Sequence, residues 1–195
     1  MVEAILEKVT KFIFGLICHQ DPSVLMQVNG KDIYLCPRCI GLHLGFLISF
    51  VIMALSFKER IRIADMKSRI MLAVAIGSIG LDWGLGSYFG LYTPTHISRL
   101  ITGLACGSAL SVLFIYYRRD LTLPYNTQTV DATGGKIGGI ICATVVVGSA
   151  IVAFSNWAAL SLVLLLTVAA NVLLIVHSFI LMVRTRFFKK PCFVA

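Results

Sequence analysis

Five apolar runs dominate this chain: residues 40–57, 70–92, 97–117, 137–154 and 157–183. Each approaches the length of about 20 residues that a helix needs to cross a bilayer. Backbone inside hydrocarbon must satisfy its own N–H and C=O groups, and for runs of this length that leaves helices. The fold class read from them is all-α, a polytopic membrane helix bundle of about five transmembrane helices. An N-terminal amphipathic helix over 1–17 and a Cys/His hairpin over 18–39 precede the first span, and all 195 residues form one domain. Composition agrees, with 58% apolar and 13% charged residues, where soluble domains carry roughly a quarter charged.

The net charge of +8 does not point to nucleic acid, because the basic residues lie in short blocks beside apolar runs. Lys58, Arg60, Arg62, Lys67 and Arg69 form one block, Arg118, Arg119 and Lys136 a second, and Arg184, Arg186, Lys189 and Lys190 a third. With five spans all three fall on one side, which the positive-inside rule makes cytoplasmic together with the C-terminus. The hairpin is then extracytoplasmic, along with the Thr93-Pro94 and Ser155-Asn156 turns, in a multi-pass protein of the cell membrane. Residues 2–17 place Ile5, Leu6, Val9, Phe12, Ile13 and Leu16 on one helical face. Glu3 and Glu7 interrupt the pattern a signal peptide needs, so this segment is read as an interfacial helix. Glycines recur four apart at Gly41/Gly45, Gly80/Gly84, Gly86/Gly90, Gly103/Gly107 and Gly135/Gly139. Such pairs let helices approach closely in lipid, within the bundle or, as a lesser alternative, across a homo-oligomer face.

The chemistry-bearing residues gather where water meets the first span. Asp21-Pro22 and Asn29-Gly30 are turn signals, and Val24–Val28 is expected to pair with Ile33–Leu35 across the second. Pro37 suits the first position of a helix, and on that helix Cys36, Cys39 and His43 stand at i, i+3 and i+7, facing one way. Cys18 and His19 arrive from the other arm. One reading is a metal site on Cys18, Cys36 and Cys39 with His19 or His43, holding zinc or, alternatively, iron. A second is a redox pair at Cys36 and Cys39, activated by the helix N-terminus and exchanging electrons with a quinone. A third is a structural disulfide from Cys18 to Cys36 or Cys39. Cys106, Cys142 and Cys192 stand alone in or beside apolar segments and read as packing.

Asp82 and Arg99 are ionisable groups inside spans, which are costly there and are functional candidates by default. Both are candidate catalytic residues, against the alternative of a structural ion pair. Arg99, with His96, Ser98 and Thr102 nearby in sequence, suits a phosphate or carboxylate head group. Asn171 and His177 are expected to hydrogen-bond other helices, and Trp83, Tyr88, Tyr92 and Trp157 to be interfacial or packing aromatics.

Cys18-His19-Gln20-x-Pro22, Cys36-x-Arg38-Cys39-x-Gly41-x-x-x-Gly45, Asp82 in the second span and Arg99-x-x-Thr102-Gly103 together resemble a family of small prokaryotic membrane proteins catalogued as domain of unknown function 2085. The resemblance implies a multi-span fold that brings the two cysteine motifs together, and a shared role without an assigned reaction. It marks Cys18, His19, Gln20, Cys36, Arg38, Cys39, Asp82, Arg99 and Thr102 as site residues. His96 stands where the family pattern suggests Asn, and His43 where it suggests an aromatic residue. The combined expectation is a zinc site in which Gln20, Arg38, His96, Arg99 and Thr102 contact a lipid-linked or anionic substrate. The alternatives are a thiol-disulfide oxidoreductase and a non-enzymatic transporter or lipid-binding subunit.

Overall fold

The architecture follows from two helices that meet backbone to backbone. The computed structural model describes residues 2–57, 59–63, 65–122 and 128–188. Its helices are α1 (Val2–Gly15), α2 (Pro37–Ser56), α3 (Met66–Trp83), α4 (His96–Thr122), α5 (Gly134–Phe154) and α6 (Trp157–Phe188). Its short strands are β1 (Met26–Val28), β2 (Lys31–Ile33), β3 (Arg60–Arg62) and β4 (Thr129–Asp131). α2 to α6 are long and apolar enough to cross a membrane, as the five apolar runs require. Several helices extend past those runs: α2 begins at Pro37, and α4 continues through Arg118 and Arg119.

α2 and α4 share the most extensive interface in the protein, and glycine is the reason. A Cβ on Gly41 or Gly45 would strike the Leu100 or Leu104 carbonyl, and one on Gly103 or Gly107 would strike the Arg38 or Leu42 carbonyl. The two Gly-x-x-x-Gly pairs therefore interlock within the chain. A Cβ at Gly80, Gly84, Gly135 or Gly139 meets nothing within 4 Å. Around the α2–α4 crossing, Leu44, Leu104, Leu160 and Leu164 form one buried cluster with Phe14 and Leu35. A second, toward the other end, contains Met53, Leu72, Val112 and Ile137.

At the hairpin end, β1 and β2 pair antiparallel with Val28 opposite Lys31. Asn29 and Gly30 take φ of 52° and 74°, the left-handed pair that a two-residue hairpin turn needs. The partner strand is thus Lys31–Ile33 and not Ile33–Leu35, because so tight a turn starts the return strand at once. Val24 lies instead in a 3-10 turn, Pro22–Val24, capped by the Asp21 side chain. Trp157 is buried and donates from Nε1 to the Asp32 carbonyl at 3.0 Å, seating the hairpin on the start of α6.

α1 docks against α6 and the hairpin, burying Thr10 and Phe14 and turning Ile5, Phe12 and Leu16 outward. The inward face is therefore rotated from the apolar stripe of the sequence. Lys31 Nζ pairs with Glu3 at 2.7 Å, and Tyr34 Oη donates to Glu7 Oε1 at 2.8 Å. At the opposite end β3 and β4 pair in parallel, Ile61 beside Val130. Ser68 Oγ donates to the Ala132 carbonyl at 2.9 Å, and Gly134 N to Asp65 Oδ2 at 3.1 Å. Cys106 is buried as expected, whereas Cys142 is exposed on α5 and is not a core residue; Cys192 lies outside the described residues.

Two outcomes follow. Gly103→Leu should lower stability by about 3 kcal/mol in thermal unfolding in micelles, while Gly139→Ala leaves it unchanged or raises it by up to about 1 kcal/mol. Lys31 holds the Glu3 carboxyl below the ordinary carboxylate range, chiefly by its hydrogen bond. A depressed carboxyl contributes above its unfolded value and loses that contribution as pH falls. Protection of the α1 amides, taken relative to their intrinsic exchange rates, should therefore fall between about pH 5 and pH 3, and Lys31→Gln should remove that step.

Candidate functional site

The chain brings three thiols together where α1 ends and α2 begins. After Gly15 closes α1, the Cys18 N–H still bonds to the Phe14 carbonyl at 2.8 Å, so Cys18 stays beside the helix end. Gln20, with φ of 52°, then turns the chain away. Its side-chain amide donates to the Lys11 carbonyl at 2.8 Å and the Tyr34 carbonyl at 3.2 Å, tying α1 to the return arm of the hairpin. Cys36 precedes a proline, which holds it extended (φ −69°, ψ 152°), and it caps α2 with Cys39 one turn on. Its N–H points at Cys18 Sγ at 3.4 Å.

The sulfur atoms of Cys18, Cys36 and Cys39 all lie within 4.8 Å of one another. The Cys18 thiol is held far below its usual range because the Cys36 and Cys39 thiols hydrogen-bond to its sulfur. Cys36, as a donor to Cys18, is pushed up. Three sulfurs held this close present one donor set to a cation, or one exchange site to a disulfide.

Among the described residues this cluster contains no imidazole. His19 is exposed. His43 stands one turn below Cys39 on α2, where Asn171 Nδ2 donates to its carbonyl at 3.0 Å and lies 3.3 Å from its Nδ1. Asn171 thus makes the interhelical hydrogen bond expected of it, while His177 is exposed on α6.

Arg38 reaches from between Cys36 and Cys39 across to α3, where its Nε donates to Asp82 Oδ2 at 2.7 Å and its Nη2 bonds the same oxygen. Tyr92 Oη donates to Asp82 Oδ1. Asp82 is 5% exposed, with both oxygens engaged. Its cation is therefore Arg38 and not Arg99. Tyr92, which the sequence marked as an interfacial aromatic, reaches it because a π-turn over Gly84–Tyr88 and Gly90, with φ of 63°, fold the chain back. A buried carboxylate with a second oxygen to satisfy was the signal for such a donor.

Arg99 is half-buried on the first turns of α4. Its Nε is buried and has no hydrogen-bond partner among the described residues, and its charge acts on Asp21 of the hairpin. The Thr102 hydroxyl bonds back to the Ser98 and Arg99 carbonyls at 2.9 and 3.2 Å, a use internal to the helix. His96 is exposed at the start of α4.

Spanning helices capped by a thiol cluster and braced by a buried ion pair define a polytopic membrane protein with one polar end-site. Residues 18–113 match the model of a family described as "Predicted membrane protein (DUF2085)", which bears out the resemblance read from the motifs. An uncharacterized protein of Methanocaldococcus jannaschii is 27% identical over 95 residues, covering 49% of this chain and 59% of that protein. The chain thus matches somewhat more than half the length of that relative. No solved structure matches. The matched family segment contains the three thiols, Arg38, Asp82, Tyr92, Arg99 and the interlocking glycines; α1, α5 and α6 lie outside it.

Removing one member of a buried ion pair leaves the other charge uncompensated, at a cost of about 3–5 kcal/mol. Asp82→Asn and Arg38→Gln should each destabilise on that scale in thermal unfolding. The double variant should lose less than the sum, which a double-mutant cycle reads directly.

Proposed function

We propose that Cys18, Cys36 and Cys39 hold one zinc ion, or iron in the same donor set, at the extracytoplasmic end of the bundle, where the protein acts on an anionic or lipid-linked substrate. The observation that carries this reading is the convergence of the three sulfurs from two arms of the chain within 4.8 Å. A tetrahedral zinc with Zn–S bonds of about 2.3 Å sets sulfurs roughly 3.8 Å apart, a contraction that side-chain rotation can supply. Bound zinc with an open position supplies a water of lowered pKa.

The chain's own residues do the rest. Asp82 fixes Arg38, and Arg38 in turn holds the Cys36–Cys39 turn against α3. With both carboxylate oxygens engaged, Asp82 acts here as a positioning residue for Arg38. Arg99 presents the cation that orients an anion beneath the hairpin, with His96 at the same helix end. Gln20 positions Cys18 through its two backbone bonds, and Thr102 remains within α4.

The lowered Cys18 thiol favours a second reading on the same atoms. Oxidation of the Cys36 and Cys39 thiols to a disulfide would pass two electrons and two protons to a quinone, giving a quinol, with Cys18 as the exchanging thiolate.

Metal analysis of the purified protein, with thiol counting before and after reduction, separates these. The metal reading predicts one equivalent of zinc, lost in Cys18→Ser, Cys36→Ser and Cys39→Ser but kept in Cys106→Ser. Metal-free protein with a reducible Cys36–Cys39 bond overturns it in favour of the oxidoreductase. Neither metal nor redox cycling would leave a transporter or lipid-binding subunit.

A further inference from the structure

At the end of the bundle opposite the thiols, α3 and α4 flank an apolar groove of about 430 Å³ lined by Ile63, Arg69, Leu72, Ile76, Leu113 and Tyr116. Leu72 is its buried floor. Arg69, Leu72 and Ile76 recur at helical spacing along α3, so the wall runs about 10 Å along the helix axis at a rise of 1.5 Å per residue. That length and the apolar lining suit part of an alkyl chain.

The mouth of the groove is basic. Arg69 is exposed there, and exposed Arg62 and Lys67 lie at the same end of the bundle. Acidic Glu59, Asp65, Asp120 and Asp131 at the same end offset part of this charge, and Arg118, Arg119 and Lys136 restore the excess of cations. The Asp65 carboxylate is engaged by Ser68 Oγ and the Gly134 N–H, and Glu59 meets Arg119 through its carbonyl. The Tyr116 ring lies near the end of α4, a depth where aromatics favour the membrane interface.

We propose that this groove is a binding site for an anionic phospholipid, one acyl chain along Leu72, Ile76 and Leu113 and the phosphate at Arg69. Apolar walls require a chain, and the net excess of cations at the mouth selects a net negative head group over a zwitterionic one.

Native mass spectrometry of the full chain, in micelles doped with phosphatidylglycerol or phosphatidylcholine of identical chains, tests this. The wild type should retain one phosphatidylglycerol in preference to phosphatidylcholine. Arg69→Gln, a surface change, should weaken that retention about fivefold. Leu113→Trp should displace both lipids by filling the groove without altering charge. Lys8→Gln, on exposed α1, should change nothing. Equal retention of the two lipids by the wild type, phosphatidylglycerol bound unchanged by Arg69→Gln or Leu113→Trp, or a second copy of the chain in place of lipid would overturn the proposal.

Discussion

The contact between α2 and α4 is the constraint on which the rest depends. Gly41 and Gly45 face Leu100 and Leu104, while Gly103 and Gly107 face Arg38 and Leu42. In lipid, helices gain no hydrophobic advantage from meeting each other, so close packing and interhelical polar bonds must hold them. Here both occur together. The backbone contact at Gly103 falls on Arg38 itself, the residue whose side chain crosses to Asp82. Packing and polar bracing therefore fix the same turn, the one that carries Cys36 and Cys39.

That bracing explains an ionisable pair where ionisable groups are costly. An isolated Asp82 on α3 would be expelled toward water or protonated. Arg38 on one oxygen and Tyr92 on the other give the carboxylate partners and tie α3 to the start of α2. The hairpin is secured independently, by Gln20 between α1 and the return arm and by Trp157 beneath Asp32. Cys18 is placed by these loop bonds and Cys36 and Cys39 by the bundle, so the thiol cluster sits on the seam between two separately fixed bodies.

The apolar runs, the glycine spacing and the Asn29-Gly30 turn made the helix count, the close crossing and the hairpin legible in the sequence, since each follows from local chemistry. Helix ends were less so: hydropathy reports the apolar run, and α4 and α6 continue beyond it through Thr122 and Phe188. Cys18 beside Cys36 and Cys39 was anticipated from the hairpin's turn signals and from the resemblance that joins the two cysteine motifs. The partner of Asp82 was not, because Arg38 reads in sequence as part of a cysteine turn and only the packing of α2 and α3 on the common helix α4 reveals its reach. Tyr92 was hidden for a related reason, as the π-turn after Trp83 that redirects it has no distinct residue pattern. The three-residue strands β3 and β4 are too short to show periodicity at all.

The central claim is that Cys18 lies against the Cys36–Cys39 turn in the folded protein. A bifunctional thiol reagent that bridges only sulfurs near van der Waals separation, applied to metal-free protein in membranes and followed by peptide mapping, tests it most directly. The account predicts a bridge joining Cys18 to Cys36 or Cys39, lost in Cys18→Ser. Recovery of Cys18 carrying only single-ended reagent, while Cys36 and Cys39 are bridged to each other in every molecule, would contradict it.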